Sequence, residues 1–310
     1  MRKSPCSVSV EKRALMNDTL ESLRHKIEGA EKLESVVRTM KALSAASINQ
    51  YERAVHALND YYHTVELGLS VCFRQVQELP ALMKKGQETP EAIGAIVFGA
   101  GQGLAGPFND VIVNHVAATL RELPGKKIVW AVGEVIQSRL EDAGLPVSRL
   151  FAVPNSVQAI TPLTGQILLE IEQNLEKGEA TQFYLFHNRP GEGAVYEPVS
   201  QCFIPLDEIW RQKLTGLSWP SRNLPEPMGA VAPTLTALVR EFLFVSLFKA
   251  CAESLASENA SRLAAMQRAE KNIQELAQNL SLAFHRLRQE AIDEELFDLI
   301  SGSEALGVNS

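Results

Sequence analysis

The sequence predicts an α/β protein in which a long antiparallel coiled coil of N- and C-terminal helices carries an inserted α/β domain with a mostly parallel sheet. Three observations lead there. Thr234 to Ser301 contains no glycine and no proline, and its apolar residues recur at threes and fours. A second run of the same period fills Leu20 to Leu79. Between the two, short β-rich apolar runs alternate with amphipathic stretches of helical length.

The composition suits that reading. The 310 residues are 45% hydrophobic and 22% charged, with only 6% aromatics. Few aromatics beside many Ala, Leu, Glu and Arg favour long helices over sandwiches. The net charge of −7 argues against nucleic acid as the main partner, because phosphate binding wants a basic face. Cys6, Cys72, Cys202 and Cys251 are scattered without CxxC or His/Cys spacing, so neither a disulfide framework nor a zinc site is expected. A reducing, intracellular setting follows. The longest apolar run, Leu235 to Leu247, is interrupted by Arg240 and Glu241 and reads as too short and too charged to span a bilayer.

Residues 1–18 carry no apolar core and read as a disordered extension, with Met16 as an alternative start. The first long helix is placed at 19–80. Asp18-Thr19-Leu20-Glu21 suggests a capping box in which Asp18 accepts and Glu21 reaches back. The seam runs through Leu20, Leu23, Ile27, Ala30, Leu33, Val37, Met40, Ser44, Ser47, Tyr51, Val55, Leu58, Tyr62, Val65, Leu69 and Cys72 to Leu79. Pro80 is the expected stop, since the residue before a proline avoids helical geometry.

A polar linker, Lys84 to Pro90, leads into the inserted domain at 91–208. Strands are expected at Ala92–Phe98, Lys127–Val132, Val147–Val153, Gln182–His187 and, as an extended stretch, Val195–Ile204. Helices are expected at Val111–Leu123, Glu134–Ala143 and Thr161–Lys177. Residues 209–233, with Pro220, Pro225, Pro227, Gly229 and Pro233 after Trp210, read as an irregular connection. The second long helix is placed at 234–301, with a tail at 302–310. At 1.5 Å per residue it is a rod of roughly 100 Å. Its seam runs from Leu235, Leu238, Phe242 and Val245 through Leu255, Leu263, Met266, Ala269, Ile273, Leu276, Leu280, Phe284 and Leu287 to Ala291. Small residues, Ser44 to Ser47 on one rod and Ala252, Ala256 and Ala260 on the other, let the backbones approach. The intervening chain must return, so the pairing is antiparallel.

Gly101-Gln102-Gly103-Leu104-Ala105-Gly106 directly follows the first strand and matches the GxGxxG of dinucleotide sites, in a domain that is Rossmann-like in its order of elements. Pro107 sits where close helix–strand packing is wanted, and the second strand, read as ending near Ala131-Val132-Gly133, carries no acid at its tip. The turn is therefore read as a strand-to-helix connection. A dinucleotide-binding enzyme and an unrelated coiled-coil scaffold stay open as alternatives. HExxH, GxSxG and P-loop patterns are missing from the sequence, and His56 and His63 stand seven apart on a helix. No catalytic residue, cofactor or metal is expected.

Several stretches resemble the γ subunit of F-type ATP synthases. The C-terminal ones are Ala256-Ser257-Glu258-Asn259-Ala260-Ser261-Arg262-Leu263-Ala264-Ala265-Met266 and Arg288-Gln289-Glu290-Ala291-Ile292 through Ser301-Gly302. The N-terminal ones are Leu23 to Ile27 and Val36 to Ala46, and Gly103 to Asn109 is similar to that family's glycine turn. The departures are Ser35 and Ser47 where basic residues are expected, Ala105 for the turn's cysteine, Gly101-Gln102 for an acid–base pair, and Leu263 for a methionine. They suggest a divergent γ, of the alternative ion-translocating F-type complexes.

The resemblance implies a non-catalytic central shaft in a hexamer of α and β subunits, meeting ε and the membrane c-ring and coupling ion flow to ATP synthesis or hydrolysis at β. It implies a place on the cytoplasmic face of a bacterial plasma membrane, peripheral and not spanning. It also implies contacts to α and β through Arg286, Arg288 and Gln289, with Arg262 and Ser257 further down and Arg38 and Lys41 on the first rod. Asp293, Glu294, Glu295 and Asp298 crowd the expected helix C-terminus, where exposed negative charge costs about 0.3–1 kcal/mol each; a partner collar would neutralise it.

Overall fold

The computed structural model describes residues 19–75, 92–191, 195–206, 208–221, 223, 225–226 and 228–307. In chain order the elements are α1 (Leu20–Phe73), β1 (Ala92–Phe98), α2 (Phe108–Glu122), β2 (Lys126–Val132), α3 (Glu134–Asp142), β3 (Val147–Phe151), α4 (Ile160–Lys177), β4 (Gln182–Arg189), β5 (Glu197–Ile204), α5 (Glu208–Thr215) and α6 (Val231–Gly307). The chain divides into two units: residues 19–42 with 266–307, and residues 43–265. Helices α1 and α6 contribute to both.

The larger unit holds one five-stranded sheet in the order β3-β2-β1-β4-β5. β1 lies in the middle, parallel to β2 and β4, and β2 is parallel to β3; only β5, on β4, is antiparallel. β1 is buried along its whole length, which explains its unbroken apolar sequence. Its side chains alternate between two layers. Ala95 and Val97 pack with Ile112, Val116, Ile136 and Leu140 of α2 and α3. Ile96 and Phe98 face the other core, with Leu163, Ile167 and Ile171 of α4 and Leu235, Val239, Phe242 and Leu247 of α6. Gly94 fits because a Cβ there would lie 2.3 Å from the Phe183 ring.

Several boundaries move from their expected places. α1 ends at Phe73, six residues before Leu79. Pro80 and the linker at 84–90 lie outside the described residues. Thr19, not Asp18, is the observed cap: its Oγ1 accepts from the Ser22 backbone N–H at 3.3 Å, and Asp18 lies outside the described residues. The connection at 209–233 contains the short helix α5. α6 begins at Val231, with Pro233 in the first turn where its missing N–H costs no bond. It continues to Gly307, so the acids at 293–298 lie inside the helix and not in its last turn.

α6 also contains a stretch long and apolar enough, by composition, to cross a membrane. The run does not stop at Leu247 as expected, because Ala250, Cys251, Ala252, Leu255 and Ala256 extend it. Those residues, with Leu235, Val239, Phe242 and Leu243, are core residues of the larger unit, and that burial accounts for the apolarity.

Candidate functional site

In the smaller unit α1 and α6 run antiparallel. Gln274 donates to Glu34 Oε1 at 3.0 Å, and Lys41 pairs with Glu270 through a short contact. Advancing along α1 from Glu34 to Lys41 thus retreats along α6 from Gln274 to Glu270. Leu23, Ala30, Val37, Met266 and Leu280 are the buried seam. Arg38 bridges Glu34 at 2.9 Å and Glu270 at 3.9 Å, but it is 68% exposed, which limits such pairs to about 0–1 kcal/mol. The Glu34 carboxyl is held below its ordinary value, first by the Gln274 amide and then by Arg38. Two seam positions are wrong: Leu33 is 58% exposed and Leu276 52% exposed.

In the larger unit the same two helices are again antiparallel. Tyr61 donates to Glu241 at 2.8 Å, the Tyr62 and Phe242 rings lie 5.2 Å apart, and Gly68 faces Leu238. Ser44, Ala252 and Ala256 are buried, which is the close approach that small side chains permit. Lys249 lies 5.7 Å over the Tyr62 ring. Burial, with Glu66 nearby, pushes the Tyr62 hydroxyl up to about 12.

The sheet domain grips α6 at several points of this unit. His187 on β4 meets Glu253 at 2.9 Å, with both side chains largely buried. Glu172 on α4 meets Arg240 at 3.1 Å. The Ser261 hydroxyl donates to the Ala105 carbonyl at 2.6 Å, in the glycine turn itself. That turn departs from a dinucleotide cradle. Leu104 adopts φ +66°, Pro107 occupies the cap of α2 without an N–H to offer, and Asn109 Oδ1 takes the Ala100 N–H.

The expected contact residues fall into separate groups. Arg286, Arg288 and Gln289 are exposed, with Arg286 held to Glu290 at 3.1 Å. Arg38 and Lys41 stand on α1 and are tied to α6 through Glu270. Ser257, on α6, is completely buried in this chain. Arg262 has a side chain 11% exposed and is held by Glu258 and Asn259. Burial pushes the Glu258 carboxyl above its ordinary value, and Arg262 only partly opposes this.

Sequence reasoning missed Glu34, Glu270 and Gln274, whose polar type hid their place beside the seam, and Ser261, whose partner is 156 residues away. It also missed Glu134. This acid is the first residue of α3, two residues past the end of β2.

Comparison with known proteins covers almost the whole chain. A family model described as ATP synthase matches residues 19–306. The ATP synthase gamma chain of Persephonella marina is 26% identical over 288 residues, spanning 92% of this chain and 97% of the relative. That of Nautilia profundicola is 26% identical over 306 residues, spanning 93% and 99%. Among solved structures, a chain of the Euglena gracilis mitochondrial ATP synthase, in an assembly of OSCP, F1 and c-ring, superposes with a TM-score of 0.60. It is 19% identical, covers 93% of this chain and 94% of its own length, and shares the fold.

Proposed function

Because this chain belongs to the γ-subunit family of ATP synthases, we propose that it is the central rotary shaft of an F-type ATP synthase or ATPase. The observation that carries the reading is the match of the family model from residue 19 to residue 306, on a chain whose two terminal helices pair antiparallel in each unit.

The shaft performs no bond chemistry. Torque from ion flow through the membrane c-ring turns it, and its lopsided surface biases the three β subunits into different conformations in turn. A symmetric rod has no differential interaction with them and shifts nothing. The nucleotide chemistry belongs to β, and the chain needs no cofactor. The partners are α, β, ε and the c-ring. The location is the cytoplasmic face of a bacterial plasma membrane, as a peripheral component. Arg286, Arg288 and Gln289, exposed in the C-terminal half of α6, are contacts to the hexamer, with Arg262 and Ser257 further down the helix. Arg38 and Lys41 support the pairing of α1 with α6 through Glu270, and α and β reach them there.

The test is co-expression with the α and β subunits of the same source. Co-purification of a nucleotide-hydrolysing complex is expected. A free chain beside an intact α–β assembly would overturn the reading.

A further inference from the structure

The shaft reading gives no role to a cavity of the larger unit. It lies at the carboxyl ends of β1, β2 and β3, inside the larger unit, with a volume of about 480 Å³. That is within the range of about 300–1,000 Å³ of small-molecule sites. Gly101 and Gln102 of the glycine turn form one wall. Gly101 lies so close to Val153, another wall, that a Cβ there would stand 3.0 Å from its Cγ2. Glu134, the first residue of α3, lines the same cavity from the tip of β2. Tyr51 on α1 also lines it; the residue is 5% exposed, and its hydroxyl has no hydrogen-bond partner among the described residues.

In doubly wound sheets ligands bind outside the carboxyl ends of the strands, and an acid at the tip of the second strand accepts ribose hydroxyls. Glu134, two residues past the end of β2, stands next to that place in a chain whose first strand is followed by GxGxxG. The phosphate half of the arrangement is lacking. Pro107 offers no N–H, α6 packs on the turn through Ser261, and the lining Arg262 is held by Glu258 and Asn259. The lining thus suits a sugar and a base and offers nothing to a phosphate.

We propose that this cavity binds a ribonucleoside. Glu134 accepts the vicinal hydroxyls, the base lies against Val153, Pro154 and Leu255, and the Tyr51 hydroxyl meets a polar edge of the base. The site is independent of the rotary role and of the nucleotide sites of other subunits.

Isothermal titration calorimetry on the full chain tests it, with adenosine, guanosine, cytidine and uridine as probes beside 2′-deoxyadenosine and ADP. Saturable binding of at least one ribonucleoside is expected. Loss of one charged hydrogen bond predicts binding about tenfold weaker for the 2′-deoxy compound, and likewise for Glu134→Gln, an exposed position. Tyr51→Phe, which removes only the hydroxyl, weakens binding severalfold with the fold checked by circular dichroism. Heat from none of the four ribonucleosides, equal affinity for the deoxy compound, ADP much tighter than adenosine, or a Glu134→Gln chain that binds undiminished would each overturn the proposal.

Discussion

Ser261 donates its hydroxyl to the backbone carbonyl of Ala105 at 2.6 Å, joining α6 to the glycine turn after β1. Both residues are at most 4% exposed. The bond ties the sheet domain to the helix that the proposed function makes the shaft. Ser261→Ala leaves that carbonyl without this donor and is expected to cost about 1 kcal/mol, the usual net worth of such a bond. Urea unfolding monitored by circular dichroism measures it; a variant as stable as the parent would show that the bond contributes nothing.

Lys41 and Glu270 join α1 to α6 across the smaller unit, with side chains 27% and 17% exposed. A double-mutant cycle with Lys41→Met and Glu270→Gln is expected to give a coupling of about 0.5–1 kcal/mol. The coupling shrinks toward zero in 1 M salt, where the screening length is about 3 Å. Zero coupling at low salt would remove this pair from the helix pairing.

Glu258 makes stability depend on pH. Burial raises its carboxyl above the ordinary 4.5, against the opposing pull of Arg262. A raised folded value means that the native state holds the proton more tightly than the unfolded chain. The resulting stability is fully present below 4.5 and is lost as pH rises through the folded value. Glu258→Gln removes this slope, so the stability of the variant relative to the parent should rise between pH 4 and pH 8 in denaturation curves. Arg262→Met leaves the buried carboxylate unpaired and is expected to cost about 3 kcal/mol at neutral pH, and less in acid. A pH-independent difference between Glu258→Gln and the parent would contradict the raised value.

Gly94 on β1 lies opposite Phe183 on β4. A Cβ would stand 2.3 Å from the Phe183 ring, so Gly94→Ala is expected to cost about 1–3 kcal/mol through overpacking. Thermal unfolding decides; Gly94→Ala combined with Phe183→Leu should recover part of the loss.

The long helices were legible because the 3.6-residue period survives over so many turns that local exceptions do not hide it. Leu23, Val37, Tyr51, Phe242 and Met266 stand in the core where their spacing put them. The exceptions are local. Leu33 and Leu276 point away from the seam while Glu34, Gln274 and Glu270 pair across it, because charged ends with apolar stems can serve at a helix–helix margin. The mostly parallel sheet followed from alternating strands and helices. That β5 runs antiparallel depends on the length and path of its connection, which periodicity does not encode. The burial of Ser257 depends on what packs against α6, which spacing along the chain does not give.

The proposed function requires that the two terminal helices turn together inside a hexamer. It is tested most directly by single-molecule rotation: the α and β subunits of a co-purified complex are fixed to a surface and a probe is attached to the sheet domain of this chain. Addition of ATP is predicted to drive the probe in one direction in discrete steps. A complex that hydrolyses ATP at its full rate while the probe stays still would contradict the account.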